Sequence, residues 1–179
     1  MIKDIEKVLV SEEELDKKTT ELAEIISKEY EGKDLFIIGI LKGGVVFTSD
    51  LIKKITIPMQ VDFMAVSSYG KESETSGVVT LKKDVDANLE GKSVIIVEDI
   101  IDSGYTMKYL QKLLNDRRAE SVKLCSLLSK PARRKTEITI DYLGFEIPDE
   151  FVVGYGLDFD EKYRNLPYVG VLKPSVYSK

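Results

Sequence analysis

Val94-Ile95-Ile96-Val97-Glu98-Asp99-Ile100-Ile101-Asp102-Ser103-Gly104-Tyr105-Thr106 is the stretch that decides the fold. Residues 94–97 are β-branched and apolar, which reads as a buried strand. Two adjacent acids end that run, a short polar turn follows, and a helical pattern begins near Thr106. In a strand–loop–helix unit the loop lies at the carboxyl end of the strand, where open α/β sheets bind ligands. Small residues there let successive backbone N–H groups point into one concavity, which suits a phosphate. The neighbouring acids suit sugar hydroxyls, hydrated Mg²⁺, or a proton to be removed. Together they point to a phosphorylated sugar handled with magnesium. An acid-rich turn alone needs no ligand, since Asp, Ser and Gly are ordinary turn residues.

Outward from this unit, the periodicity alternates between strand and helix. Ser11 with Glu14 predicts a capping box. Leu15, Thr19, Leu22, Ile26 and Tyr30 then mark one face of a helix that stops near Gly32. A strand is predicted over 35–41, a loop at Lys42-Gly43-Gly44 and a helix over 45–55. Strands are predicted over 58–66, 78–81, 93–97, 122–128, 138–143, 151–155 and 168–172, with a helix over 106–117. The polar stretch 67–77 reads as a surface loop, long enough to be mobile. The expected fold is α/β: a mainly parallel twisted sheet flanked by helices, with a small β-rich flap from the later strands. No linker or repeat divides residues 1–179, so one domain is expected.

Composition removes several function classes. The chain has 179 residues, 43% hydrophobic and 32% charged, as in an ordinary globular domain. No apolar run approaches the ~18 residues of a membrane span, and the N-terminus lacks a signal-peptide apolar region. The single cysteine, Cys125, has no internal disulfide partner and lies among Val122, Leu124, Leu127 and Leu128, so it reads as a buried structural thiol. A cytoplasmic location is expected. With no histidine, His-based triads, zinc sites and general bases are excluded. The formal charge of −5 argues against nucleic-acid binding by bulk electrostatics. Gly91-Lys92-Ser93 mimics the end of a Walker A loop, but Asp86 replaces its first glycine and a strand follows it.

The string 98–106 behind its apolar strand resembles the phosphoribosyl-diphosphate signature of type I phosphoribosyltransferases, above all the hypoxanthine-guanine branch. Leu41-Lys42-Gly43-Gly44 resembles that family's pyrophosphate loop, which implies a cis peptide at Leu41–Lys42. The stretch 145–158, with Phe151-Val152-Val153-Gly154-Tyr155-Gly156-Leu157-Asp158, is a second long match. The likeness runs from the first helix to about Leu172 in the expected order.

The resemblance implies roles residue by residue. Asp102, Ser103, Gly104, Tyr105 (by its backbone N–H alone) and Thr106 would hold the 5′-phosphate. Glu98 and Asp99 would hold the ribose hydroxyls, directly or through magnesium-bound water, and Asp158 a second Mg²⁺ on the pyrophosphate, at the purine end of the site. Lys42, Gly43 and Arg164 would bind pyrophosphate. Phe151 would stack on the purine, with Ile100 on its other side, and the Val152 backbone would read its edge. Lys130 would donate to the exocyclic oxygen of a 6-oxopurine, having no acceptor for a 6-amino group. Ser68 and Tyr69 would belong to a lid that keeps water from the reaction centre. Asp102 would take a proton from purine N7. Each residue also has a plainer reading: a solvated lysine, a core phenylalanine and valine, a glycine turn.

The implied activity joins hypoxanthine or guanine to phosphoribosyl diphosphate with Mg²⁺, in purine salvage, in a homodimer or homotetramer. Two alternatives stay open at this level. One is a non-catalytic regulator that binds nucleic acid, disfavoured by the acidic balance and by Lys130 and Phe151. The other is a transferase for xanthine or adenine. Arg117-Arg118 stands at a helix exit where relatives often carry glycine, which affects the turn and not the chemistry.

Overall fold

The computed structural model describes residues 1–68 and 79–178. Tyr69 and most of the expected lid loop lie outside the described residues. The elements run β1 (Ile5–Val10), α1 (Glu12–Glu29), β2 (Leu35–Leu41), α2 (Val45–Lys54), β3 (Gln60–Ser68), β4 (Val79–Lys83), β5 (Ser93–Ile101), α3 (Tyr105–Asp116), β6 (Ser121–Ser129), β7 (Tyr142–Glu146), β8 (Val152–Val153), β9 (Val169–Leu172) and α4 (Pro174–Tyr177).

The main sheet has six strands in the order β4-β3-β2-β5-β6-β7. All its pairs are parallel except β3–β4. Its central strands are apolar without alternation because both faces are covered. Ile37, Ile95 and Val97 pack with Leu22 and Ile26 of α1 and Phe47 and Leu51 of α2. Ile38, Val94 and Ile96 pack with Met107, Leu110 and Leu114 of α3. Cys125 is fully buried, and burial pushes its thiol well above the ordinary range. Among the described residues, no helix is long and apolar enough to cross a membrane.

The flap is a second sheet, antiparallel, in the order β1-β9-β8. This sheet and the loops around it form a hood. It has its own apolar cluster of Val153, Tyr163, Leu166 and Leu172. Strand β1 was not expected: Ile5-Glu6-Lys7-Val8-Leu9-Val10 leaves half of its residues exposed and carries little alternation.

Beyond shifts of a residue or two, four differences from the sequence reading stand out. Strand β5 does not end before the acids but continues to Ile101, because Glu98, Ile100 and Ile101 stay in the ladder with Ser126, Leu128 and Ser129. Ser67 and Ser68 are not loop but pair with Thr80 and Val79. The strand expected over 138–143 is β7, Tyr142–Glu146, while Ile138 and Ile140 only pack against the α3 side of the core. The strand expected over 151–155 is cut to two residues, since Gly154 and Tyr155 both take positive φ, 96° and 50°.

Candidate active site

Parallel β2 and β5 lie side by side, so the loops after them open at one edge of the sheet. The Leu41–Lys42 peptide is cis. Gly43 lies against β5 so closely that a methyl group on it would overlap Asp99 Oδ2. On its other side Gly156, with φ of 101°, approaches the Gly43 carbonyl closely enough to exclude a side chain there too. Three segments far apart in sequence thus meet at Gly43: the loop after β2, the acids of β5 and the loop after β8.

Glu98 and Asp99 share this crowded ground. Glu98 Oε1 accepts from Asp99 N–H at 3.1 Å, and Asp99 Oδ1 accepts from Ile100 N–H at 2.7 Å. Burial, with the Asp99 charge next, pushes the Glu98 carboxyl well above the usual carboxylate range. Asp99 is also raised by burial, and the Arg164 guanidinium opposes that shift. Burial of these two adjacent carboxyls suppresses their ionisation, and a divalent cation bound there would supply the missing counter-charge. Among the described residues no three acidic side chains converge on one point. Magnesium commonly takes only one or two carboxylates and completes its shell from phosphate oxygens and water, so Glu98 and Asp99 fit that pattern.

The turn after β5 runs from Asp102 to Gly104, which takes a left-handed φ of 87° and caps α3. Asp102 Oδ1 is buried without a hydrogen-bond partner among the described residues. Asp102 and Ser103 line a cavity of about 680 Å³ with Ala132, Arg133, Arg134, Lys135 and Asp149. On the other side they line one of about 300 Å³ with Glu98, Ile100, Gly104 and Thr106. A larger cavity of about 890 Å³ lies against α1 and α2 and meets the candidate site only through Arg164. Lys130 is 6% exposed, and burial lowers its pKa while the Asp102 charge opposes that shift.

The loop after β8 carries the other cations. Arg164 donates to the Gly156 carbonyl at 2.8 Å and pairs with Asp158 at 2.9 Å and Glu161 at 3.3 Å. Lys42 pairs with the same Glu161 at 3.0 Å. Asp158 Oδ2 accepts from Glu161 N–H at 2.9 Å, so both its oxygens are engaged. Asp158 therefore meets Arg164 but does not join Glu98 and Asp99 in one carboxylate cluster. Val152 is buried in the main core, and Phe151 is 37% exposed. Ile100 packs partly against the same core as Val152.

Two participants escaped the sequence reading. Arg134 donates to Ser129 Oγ at 2.7 Å, while its Nη1 is buried with no partner among the described residues. Its side chain also packs at Gly104, where an added Cβ would lie 3.4 Å from Arg134 Cδ. The only available signal was the basic run Arg133-Arg134-Lys135. Glu161 had none, because a carboxylate holding Lys42 and Arg164 is visible only in three dimensions.

The fold and these loops define a class in which a turn that caps a helix, two strand acids and a glycine loop share one sheet edge. A family model described as a phosphoribosyl transferase domain matches residues 9–160. The chain belongs to the phosphoribosyl transferase family. Within it, the chain is 58% identical over 177 residues to a hypoxanthine-guanine phosphoribosyltransferase of Lactococcus lactis, covering 99% of this chain and 96% of that one. A crystal structure of a hypoxanthine phosphoribosyltransferase from Staphylococcus aureus matches with a TM-score of 0.97 at 49% identity, over 100% of this chain and 97% of that one. The chain is also 52% identical over 179 residues to a bifunctional protein TilS/HprT of Listeria monocytogenes, spanning 28% of that protein's length.

Proposed function

We propose that the chain transfers the 5-phosphoribosyl group of phosphoribosyl diphosphate to hypoxanthine or guanine, giving the nucleoside monophosphate and pyrophosphate in purine salvage. The observation that supports this is the meeting at Gly43, where the loop after β2 lies directly against Asp99 of β5 and Gly156 of the loop after β8. In this reading the turn from Asp102 to Thr106 holds the 5′-phosphate through backbone N–H groups at the start of α3. Glu98 and Asp99 hold the ribose hydroxyls. Lys42, the Gly43 backbone and Arg164 receive the pyrophosphate, and Glu161 releases both cations as it arrives. Phe151 and Ile100 flank the purine, the Val152 backbone reads its edge, and Lys130 donates to O6.

Glu98 and Asp99, with Asp158 on the pyrophosphate side, would hold Mg²⁺, which would supply positive charge to the leaving group. C1′ passes through an oxocarbenium-like state as its bond to pyrophosphate breaks and its bond to purine N9 forms. Asp102 accepts the N7 proton as that bond forms. Its unpartnered Oδ1 supports that role. Ser68, at the end of β3, and Tyr69 after it serve to keep water from the reaction centre, and the enzyme works as a homodimer or homotetramer in the cytoplasm.

A base-competition assay tests this reading. With Mg²⁺ and phosphoribosyl diphosphate, hypoxanthine and guanine should be consumed in preference to adenine, and excess EDTA should stop the reaction. Turnover of adenine at an equal rate, or none of any purine, refutes it.

A further inference from the structure

Phe151, the ring on which the purine would stack, does not stand alone. One face of it stacks on Tyr177, with centroids 4.8 Å apart and planes inclined by 21°. Phe159 meets it edge-on, at 5.6 Å and 88°. Phe151 nevertheless keeps 37% of its surface exposed. A ring has two faces. With one face taken by Tyr177 and Phe159 packed at right angles to the ring, Phe151 still offers solvent-open surface to a base.

Tyr177 is brought there by the tail of the chain. Leu172 N–H donates to the Phe151 carbonyl at 2.8 Å, so the chain leaves β9 beside Phe151. Lys173 N–H then donates to the Asp4 carbonyl at 2.8 Å, and its Nζ to the Lys3 carbonyl at 2.6 Å. Val176 packs on the hood cluster of Val153, Tyr163, Leu166 and Leu172. The Tyr177 hydroxyl makes no hydrogen bond among the described residues. What the protein uses at this position is the ring, with its polar tip left in water.

We propose that Tyr177 is a positioning residue for the purine: its ring backs Phe151 and fixes the plane on which the base lies. Phe151 comes just before a strand of only two residues, so its own backbone ladder holds it weakly. Offset stacking and an edge contact restrict its ring before the base arrives, and less freedom is lost on binding. This rests on the purine-transfer reading above.

The test is steady-state kinetics on the full chain with each substrate varied in turn, beside thermal unfolding of each variant. Tyr177→Ala should raise KM for hypoxanthine and guanine about three- to tenfold, the usual worth of one aromatic pair. KM for phosphoribosyl diphosphate and kcat should move by less than about twofold. Tyr177→Phe should restore the purine KM, since the hydroxyl is unbonded. An unchanged purine KM in an active Tyr177→Ala enzyme overturns the proposal and leaves the activity standing. A lowered purine KM also overturns it, because the ring would then occupy the place of the base. Equal rises for both substrates with a fallen Tm would make Tyr177 a structural residue only. A wild-type chain that transfers to no purine takes the activity and this proposal down together.

Discussion

Asp102 and Gly43 show how much of this site depends on single atoms. Asp102 Oδ1 is buried with no partner among the described residues, a costly state that a proton or a ligand would relieve. Asp102→Asn keeps the shape of the turn but cannot take a proton at neutral pH. Single-turnover synthesis should slow by about 10²–10⁴, while phosphoribosyl-diphosphate binding stays nearly intact. An unchanged single-turnover rate would remove Asp102 as the base. Gly43→Ala puts a methyl group onto Asp99 Oδ2, so the loop or the carboxylate must move. The expected result is a KM for phosphoribosyl diphosphate raised at least about tenfold, with Tm little changed, because Gly43 faces the site and not the core. The acids and small residues of 98–106 could be read beforehand because they are contiguous. Arg134, Glu161 and Tyr177 could not, since each reaches its partner through chain reversals that leave no local pattern.

At the scale of elements, legibility followed burial. Helix α1 could be read to its first residue because Ser11 and Glu14 form the reciprocal capping box, with Glu14 N–H donating to Ser11 Oγ at 3.2 Å and Ser11 N–H to Glu14 Oε2 at 2.8 Å. The parallel strands β2, β5 and β6 were readable as apolar runs. Strand β1 was not, because it is half-solvated, and β8 was read too long, because its backbone turn rather than its side chains ends it. Helix α3 ends at Arg117, whose guanidinium pairs with Asp84 at 2.7 and 2.5 Å. Arg118 then takes the left-handed conformation, φ 61°, that helix exits usually give to glycine. Its pair with Glu90 is exposed and long at 3.4 Å, and so contributes little. Arg118→Gly should therefore stabilise the protein by about 0.5–1 kcal/mol and raise Tm by about 1–4 °C. A fall in Tm would mean that the arginine side chain matters more than its backbone.

For the molecule as a whole, the buried acids Glu98 and Asp99 are an electrostatic burden in the ligand-free protein. A carboxyl whose folded pKa is raised contributes stability while it is protonated and loses that contribution as pH rises through the raised value. Glu98 is such a group. Asp84, held below its ordinary value by Arg117, has the opposite sign and is lost only as pH falls through its lowered value. Glu98→Gln should thus raise the Tm of the ligand-free protein near about pH 8 and do little near about pH 5. With Mg²⁺ and phosphoribosyl diphosphate present, the wild type should gain more Tm than the variant. Calorimetry at both pH values checks both signs, and equal gains would mean that Glu98 does not serve the ligands. The hood holds β1 and β9, the first and last strands, side by side, and that has a mechanical consequence. In the β1–β9 pair, Ile5 lies opposite Leu172, so the rung nearest one end of the chain is also the rung nearest the other. A pull applied through residues 1 and 178 unzips that ladder one rung at a time instead of shearing it all at once. Optical-tweezers stretching should first show a low-force step in which β1 and β9 peel apart. Phe151 and Tyr177 would separate in that step, while the phosphate turn between β5 and α3 stayed folded under load.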